Sequence, residues 1–301
     1  MKTEDLSTPG ALIDLDRLEH NATRMAEHTH QLGVRLRPHV KTHKCVEAAR
    51  IQIRDHFGGI TVSTLAEARG FAQAGADLHI LATTDAVKQA AQDLRDETGA
   101  SVAGHVCDIT DRARVHDVIS AFARIDVLIN NAGFERPTPI LEDGDDVEET
   151  FRRIIDINVM GTYYVTREAV RKMNAGAKIV ITSSIWGQTA VADMSAYCAS
   201  KHANIGFMRA LAQELGPKGV NVNAVCPGWV KTDAAMNSLR HIATETGRDQ
   251  DELLNEILSA QALGGLMEPD DMIGAYLFLA SDAAANITGQ SLNVDRGELM
   301  G

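Results

Sequence analysis

Short apolar runs alternate with longer amphipathic stretches along most of this chain. Apolar runs of four to eight residues are typical of buried strands, and apolar positions at helical spacing between them are typical of helices packed on a sheet. The predicted strands are Ala11–Leu15, Arg35–Val40, Gly59–Ser63, Leu78–Ala82, Ser101–Val106, Val127–Ile129, Ala177–Thr182, Val220–Val225 and Ser291–Val294. The predicted helices are Asp16–Gln31, Lys44–Asp55, Leu65–Gln73, Ala86–Glu97, Asp111–Ala123, Val147–Asn174, Met194–Leu215 and Glu268–Ala280. This alternation predicts βα units and a parallel sheet.

The segment Asp233–Glu268 interrupts this pattern. It is polar and helical, with charges concentrated around Arg248–Glu256, and it follows a strand end and a Pro-Gly pair. A mobile cover over an active site often occupies such a place. A solvated helical pair at a subunit surface fits the pattern equally well, so both interpretations stay open.

Bulk composition narrows the class of partner. The chain has 301 residues, a formal net charge of -12 and a pI near 5.3, which argues against nucleic acid or an anionic membrane surface as the main partner. No apolar run approaches the ~20 residues that span a bilayer. Four cysteines, at positions 45, 107, 198 and 226, are widely scattered, which indicates reduced thiols in a cytoplasmic protein rather than a disulfide framework.

Four features then occur in a fixed order and point to one chemistry. Asn130-Asn131-Ala132-Gly133 follows a strand, Asn158 lies among apolar residues of a helix, Ser184 ends a later strand, and Tyr197 precedes Lys201 by four positions. Small residues at a strand end let a flat ligand ring approach the backbone. Residues four apart lie on one helix face, so Tyr197 and Lys201 are expected to be neighbours. A YxxxK pair alone is weak, whereas the whole set is specific.

These residue types suit the interconversion of a carbonyl and an alcohol. When hydride moves to or from a carbonyl carbon, the oxygen must gain or lose a proton. A free tyrosine has a pKa near ~10, and the adjacent ammonium of Lys201 is expected to lower it. Ser184 would hydrogen-bond the substrate oxygen and fix its distance from Tyr197. Asn158 would hold a water that links Lys201 to solvent.

From about Arg69 to Gly297 the chain resembles the short-chain dehydrogenase/reductase family. Phe71–Asp77 resembles the turn from its first helix into its second strand, and Ile287–Asp295 resembles its C-terminal strand region. The resemblance implies catalysis by Asn158, Ser184, Tyr197 and Lys201. It implies a nicotinamide cofactor, a small-molecule ketone or alcohol substrate, and a homodimer or homotetramer formed through the long helices. The cofactor-binding residues that it implies are Asp108, Asn131, Ala132, Gly133, Tyr197, Lys201, Pro227, Gly228, Val230 and Thr232.

The preference between NAD and NADP is read from the end of the second predicted strand. A selective NAD site places an acidic residue there to hold the ribose hydroxyls. The sequence at that place is Leu81-Ala82-Thr83-Thr84, with neither an acid nor a base. Because nothing there would repel a phosphate, NADP is favoured over NAD.

The first 68 residues resemble a different family. Thr8–Asn21, Arg37–Lys44 and Gly59–Ala68 are similar to the start of the D-threonine aldolase and D-serine dehydratase family, whose alanine-racemase-like barrel holds pyridoxal phosphate (PLP). The resemblance implies that Lys41 would bind the PLP. A PLP barrel needs eight βα units, and this chain continues differently past residue 69, so working PLP chemistry is not expected. One short cluster, His39, His43 and Cys45, gives no geometry for a metal site, and none is predicted.

The junction between the two resemblances predicts an altered cofactor site. Gly59–Ser63 stands where the dehydrogenase's first strand belongs, but the turn after it is short and has no glycine. The family's glycine-rich loop lets backbone N–H groups reach a diphosphate, and Glu67 would repel one. The predicted fold is therefore α/β, a doubly wound Rossmann-like parallel sheet whose first βα turn comes from a barrel fragment, with domains at 1–68 and 69–301.

The predicted function is an NAD(P)-dependent oxidoreductase with impaired cofactor binding. Two alternatives remain: a non-catalytic fusion or chimera, and a PLP-dependent lyase or racemase that uses Lys41. The first strand of a dehydrogenase has neighbours on both sides, whereas in a barrel Gly59–Ser63 would pair with Arg35–Val40. The sequence therefore predicts that the first ~55 residues are displaced from their ancestral packing.

Overall fold

Seven parallel strands form a single sheet in the computed structural model, which describes residues 60–62, 65–73, 75–141 and 145–300. The strands are β1 (Ile60–Val62), β2 (Leu78–Ala82), β3 (Val102–Val106), β4 (Val127–Asn130), β5 (Lys178–Thr182), β6 (Asn221–Pro227) and β7 (Ser291–Val294). Their order in the sheet is β3-β2-β1-β4-β5-β6-β7.

The short strand β1 lies inside this sheet, between β2 and β4. Thr61 is in register with His79 of β2 on one side and with Leu128 of β4 on the other. Because the chain runs outward from β1 to β3 and then returns to β4, the strand order reverses between β1 and β4. In open α/β sheets this reversal leaves a crevice beyond the carboxyl ends of the strands, where ligands bind.

Helices cover both faces of the sheet. They are α1 (Leu65–Gln73), α2 (Ala86–Thr98), α3 (Arg112–Ser120), α4 (Asp145–Ile155), α5 (Thr162–Val170), α6 (Ser195–Leu215), α7 (Asp233–Thr246), α8 (Gln250–Ser259) and α9 (Ile273–Ala280). One apolar cluster joins α1, α2 and α9 to one face, and another joins α3, α5 and α6 to the opposite face. Adjacent residues of β5 serve both: Val180 belongs to the first cluster, and Ile179 and Ile181 to the second. Burial on both faces explains why β4 and β5 are almost continuous apolar runs.

The predicted α/β class with a Rossmann-like parallel sheet is confirmed. Two helix predictions are corrected. The predicted helix Val147–Asn174 is divided by a π-helical turn at Asp156–Gly161, and α5 ends at Val170. The predicted helix Glu268–Ala280 begins with a 3-10 turn, Pro269–Met272, before α9. Proline lacks the N–H that an α-helical interior needs, which favours this start.

Several predictions fall outside the described residues. These are the strands Ala11–Leu15 and Arg35–Val40, the helices Asp16–Gln31 and Lys44–Asp55, the PLP residue Lys41, and the cluster of His39, His43 and Cys45. Within the described part of the chain, none of the helices has the length and apolar character needed to cross a bilayer. There, too, no three histidine, cysteine, aspartate or glutamate side chains are grouped so that they could hold a metal ion.

Candidate active site

Tyr197 and Lys201 lie one turn apart on α6, at the carboxyl end of β5. The Lys201 Nζ is 5.3 Å from the centroid of the Tyr197 ring and donates a hydrogen bond to the backbone oxygen of Thr182 at 3.0 Å. Lys201 is buried, with 3% of its surface exposed, whereas Tyr197 is half-buried. An ammonium has three donors, so two remain for other acceptors near the tyrosine.

Ser184 completes the group at the end of β5. It caps the 3-10 turn Ile185–Gly187 in an extended conformation, and its Oγ accepts a hydrogen bond from the Trp186 N–H at 3.2 Å. The Ser184 side chain also lies beside the Tyr197 phenol and lowers the pKa of that phenol. The structure therefore brings together Ser184, Tyr197 and Lys201, which we call the Ser-Tyr-Lys group.

The electrostatics of this group differ from the sequence expectation. Burial raises the pKa of the Tyr197 phenol above its ordinary value; the nearby Glu135 carboxylate raises it further, and the Ser184 side chain lowers it. Burial lowers the pKa of Lys201 from 10.5 to about 8, and Glu135 acts against this shift. The expectation that Lys201 lowers the tyrosine pKa is thus not met in this structure, because desolvation dominates for both side chains.

Close packing fixes the backbone beneath the Ser-Tyr-Lys group. Ser183 Oγ donates to the backbone oxygen of Lys201 at 2.9 Å. A Cβ atom at Gly187 would lie 2.5 Å from that Oγ and 2.8 Å from the Lys201 oxygen. Glycine at 187 therefore lets the 3-10 turn approach α6 closely enough to hold Ser184 beside Tyr197.

Asn158 lies in the π-helical turn, fully buried, and holds the loop after β4. Its Oδ1 accepts a hydrogen bond from the Phe134 N–H at 2.8 Å, and its Nδ2 donates to the Phe134 oxygen at 3.0 Å and to Ser200 Oγ at 2.9 Å. π-helical turns are rare and frequently occur at functional sites. These hydrogen bonds connect the loop after β4, through Phe134, to α6, through Ser200.

The small residues after β4 border the crevice at the strand reversal. Ala132 and Gly133 are exposed, and a Cβ atom on Gly133 would lie 3.5 Å from both Asn158 Oδ1 and Lys201 Nζ. Asn131 Oδ1 accepts a hydrogen bond from the buried Tyr276 hydroxyl at 3.3 Å. Ala132 and Gly133, which we call the Ala132–Gly133 strip, are thus exposed, have almost no side chain and lie next to Lys201. Such a surface fits the flat ring and ribose of a nicotinamide cofactor.

The remaining predicted cofactor residues lie at other strand ends. The exposed Asp108 follows β3, and its carboxylate accepts hydrogen bonds from the backbone and hydroxyl of Thr110. After β6, the Gly228 N–H donates to the Val294 oxygen at 3.1 Å, and a Cβ there would lie 2.8 Å from Asp295 Cβ. Thr232 caps α7 through a hydrogen bond from the Ala235 N–H.

The rest of that loop crosses toward the segment after α8. Pro227 is the last residue of β6, and Val230 forms an isolated parallel bridge with Met267. These contacts hold the loop against β7 and Met267, and none of them joins it directly to the Ser-Tyr-Lys group.

Sequence reasoning missed two side chains beside this site. Glu135 lies two residues after Gly133, and its carboxylate accepts a hydrogen bond from Ser238 of α7 at 2.8 Å. Trp186 lies two residues after Ser184 and meets the Tyr197 ring edge-on, with centroids 6.1 Å apart. Their closeness in sequence to the two predicted motifs was the available signal.

This fold and site define a class: an α/β protein with a Tyr–Lys pair at the strand reversal of a doubly wound sheet. The family model described as "Enoyl-(Acyl carrier protein) reductase" matches residues 63–298. The chain belongs to the short-chain dehydrogenase/reductase family, whose members catalyse NAD(P)-dependent oxidoreduction.

Relatives with known activities cover most of the same region. A 3-oxoacyl-[acyl-carrier-protein] reductase FabG of Chlamydia muridarum is 35% identical over 238 residues, covering 76% of this chain and 90% of that protein. A 2-dehydro-3-deoxy-D-gluconate 5-dehydrogenase of Pseudoalteromonas atlantica is also 35% identical, over 239 residues, covering 76% of this chain and 89% of that protein.

Solved structures show the same fold. Sorbitol-6-phosphate 2-dehydrogenase SrlD of Erwinia amylovora has a TM-score of 0.75 at 26% identity and covers 80% of this chain and 100% of that one. An actinorhodin polyketide ketoreductase solved with NADPH has a TM-score of 0.73 at 27% identity, with coverage of 80% and 97%.

Proposed function

We propose that this chain interconverts a ketone and a secondary alcohol with NADP or NAD, with NADP preferred. The observation that carries the proposal is the Ser-Tyr-Lys group: a tyrosine beside Ser184 at the end of β5, with the Lys201 Nζ 5.3 Å from its ring centroid. Its position at the strand reversal, next to the exposed Ala132–Gly133 strip, supports a bound nicotinamide.

Each side chain has one role in the proposed reaction. The bound nicotinamide supplies the hydride in reduction and accepts it in oxidation. In reduction, the Tyr197 hydroxyl donates its proton to the substrate oxygen as negative charge develops there. Ser184 Oγ donates a hydrogen bond to the same oxygen and so fixes its distance from Tyr197.

Lys201 and Asn158 act around this centre. The Lys201 Nζ keeps a hydrogen bond to the Thr182 oxygen and uses its remaining donors on the cofactor ribose. Its positive charge favours the phenolate that forms when the proton leaves Tyr197. Asn158 positions the loop that carries Ala132 and Gly133. It is also proposed to hold a water that relays a proton from solvent to Lys201 in reduction and from Lys201 to solvent in oxidation.

Cofactor affinity is proposed to be weaker than a glycine-rich loop would give. Helix α1 begins at Leu65, with only two residues between it and the end of β1 at Val62, and residues 60–69 contain no glycine. A helix N-terminus still offers free N–H groups to a diphosphate, but no glycine lets the backbone close around it. Asp108, Asn131, Pro227, Gly228, Val230 and Thr232 are proposed to contribute the other cofactor contacts.

The test is a titration of the purified protein with NADPH and with NADH, followed by nicotinamide fluorescence. Saturable binding below about a millimolar, with affinity greater for NADPH, is expected. Absence of binding to either would overturn the proposal in favour of a non-catalytic chimera. Tyr197→Phe provides the matched variant, because it removes the proton donor and should lose turnover while its cofactor affinity stays within about 2-fold.

Four statements stay predictions. They are the derivation of residues 1–68 from a barrel fragment, the domain boundary at residue 68, a cytoplasmic location, and assembly into a homodimer or homotetramer. The rival PLP-dependent lyase or racemase would use Lys41, and it requires a visible internal aldimine band that disappears in Lys41→Ala. Absence of such a band in protein incubated with PLP would exclude this alternative.

A further inference from the structure

Glu135 is a carboxylate held beside the Ser-Tyr-Lys group from two sides. Asn158 binds both the N–H and the carbonyl of the preceding residue, Phe134, and so fixes the backbone from which Glu135 projects. Ser238, on α7, donates a hydrogen bond to Glu135 Oε1 at 2.8 Å. The carboxylate therefore links the loop after β4 to α7.

The charge of Glu135 reaches the reacting residues, and no close ion pair neutralises it within the described part of the chain. Its carboxylate raises the pKa of both Tyr197 and Lys201. Within the described part of the chain, no lysine, arginine or histidine forms an ion pair with it. The neighbouring Arg136 donates instead to the Glu135 backbone carbonyl, and its guanidinium lies 5.2 Å from the Phe134 ring centroid. A carboxylate accepts about four hydrogen bonds, so acceptor sites remain beyond the one filled by Ser238.

An aromatic wall adjoins the same group. Trp186 is half-buried and meets both Tyr197 and Trp229 edge-on, with ring centroids 6.1 Å apart in each pair. Trp229 is buried in an apolar cluster with Leu239 and Leu253 from α7 and α8, which fixes the wall. An aromatic face packs well against the C–H groups of a carbon chain, and a few polar groups beside it determine orientation.

We propose that Glu135 is a specificity-determining residue that selects an uncharged polyhydroxylated substrate, a ketose and its polyol. A substrate hydroxyl next to the reacting carbon donates to the free Glu135 oxygen while the carbon chain packs on Trp186. A sugar acid or sugar phosphate brings a like charge toward a carboxylate that no close ion pair neutralises, and is disfavoured. A substrate without the hydroxyl leaves the carboxylate without its partner and is rejected more strongly than one with a changed apolar group.

This inference rests on the proposed function, so the experiment separates binding from turnover. Quenching of tryptophan fluorescence measures binding of fructose, 5-ketogluconate and fructose 6-phosphate to the NADPH-treated protein, and NADPH oxidation measures turnover of each. Glu135→Gln keeps the size and the Ser238 contact while removing the charge. Glu149→Gln, at an exposed position on α4, is the matched control.

The expected result is that fructose binds at least about 10-fold more tightly than either anion, and that Glu135→Gln reduces this ratio by about 10-fold or more. Glu149→Gln should leave it unchanged. Because Glu135 raises the pKa of Tyr197, the pH profile of polyol oxidation should also move to lower pH in Glu135→Gln, which a merely structural role would not cause.

Three outcomes would overturn the inference: equal or tighter binding of the anions, no fructose binding, or the same ratio in Glu135→Gln. Turnover of a β-keto thioester without ketose binding would overturn it and leave the proposed oxidoreductase function intact. Discriminating ketose binding without turnover by any substrate would uphold the selectivity and overturn the proposed function.

Discussion

Substitution of Gly187 by alanine tests whether the close approach of the 3-10 turn to α6 sets the geometry of the Ser-Tyr-Lys group. The new Cβ would lie 2.5 Å from Ser183 Oγ and 2.8 Å from the backbone oxygen of Lys201. An ordinary van der Waals contact starts near 3.4 Å, so the two segments must separate by roughly half an ångström or more. The Lys201 oxygen is backbone and cannot rotate away.

The expected cost follows from this distance. Overpacking a close contact destabilises a protein by about 1–3 kcal/mol, and a protein of this size loses roughly 2–4 °C in Tm for each kcal/mol. The separation also moves Ser184 away from Tyr197. A misplacement of about 1 Å can reduce a rate by about 100-fold, so kcat should fall by at least about 10-fold.

Gly206→Ala is the matched control, because the same methyl group is added to a different environment. Gly206 is exposed in the interior of α6, and a Cβ there would have no heavy atom within 4 Å. Replacing a helix-interior glycine by alanine should stabilise the protein by about 0.5–1 kcal/mol and leave kcat unchanged.

Urea unfolding at equilibrium measures both free energies of unfolding, and steady-state NADPH oxidation measures kcat. The reasoning is refuted if Gly187→Ala unfolds at the same urea concentration as the unsubstituted protein and retains its kcat. It is also refuted if Gly206→Ala is the more damaging of the two changes.

Three further predictions follow from the same site. Tyr197→Phe should lower kcat by at least about 100-fold, because it removes the proton donor, while NADPH affinity measured by fluorescence stays within about 2-fold; retained turnover would exclude Tyr197 as the proton donor. Asn158→Ala leaves the Phe134 N–H and carbonyl without their partner and should lower the free energy of unfolding, measured in urea, by about 2–4 kcal/mol. A decrease below about 0.5 kcal/mol would show that these two hydrogen bonds do not hold the loop. Because the pKa of Lys201 is lowered to about 8 in the folded protein from an ordinary 10.5, its burial opposes folding below pH 8, and this penalty disappears as the pH rises to about 10.5. The free energy of unfolding of Lys201→Met, relative to that of the unsubstituted protein, should therefore be higher at pH 7 than at pH 10. An equal difference between the two proteins at both pH values would show that Lys201 titrates normally.

The sequence by itself determined the α/β class and the residue types of the site. The pattern of apolar and polar positions alone located β2 and β7 at their observed bounds. The four-residue spacing of Tyr197 and Lys201 was also sufficient, because helix geometry places such residues on one face regardless of the rest of the fold.

The tertiary structure decided what long-range packing controls. The π-helical turn around Asn158 is stabilised by hydrogen bonds to Phe134, 24 positions away, which no local pattern encodes. The pKa of Tyr197 depends mainly on its burial and then on Glu135, so the neighbouring lysine alone did not predict the net direction of its shift. A glutamate is common on protein surfaces, so nothing in the sequence marks Glu135 as part of the site. Its side chain is held there by a hydrogen bond from Ser238, 103 positions along the chain. Local spacing specifies which side chains share an element, whereas desolvation and contacts between distant segments exist only after the chain has folded.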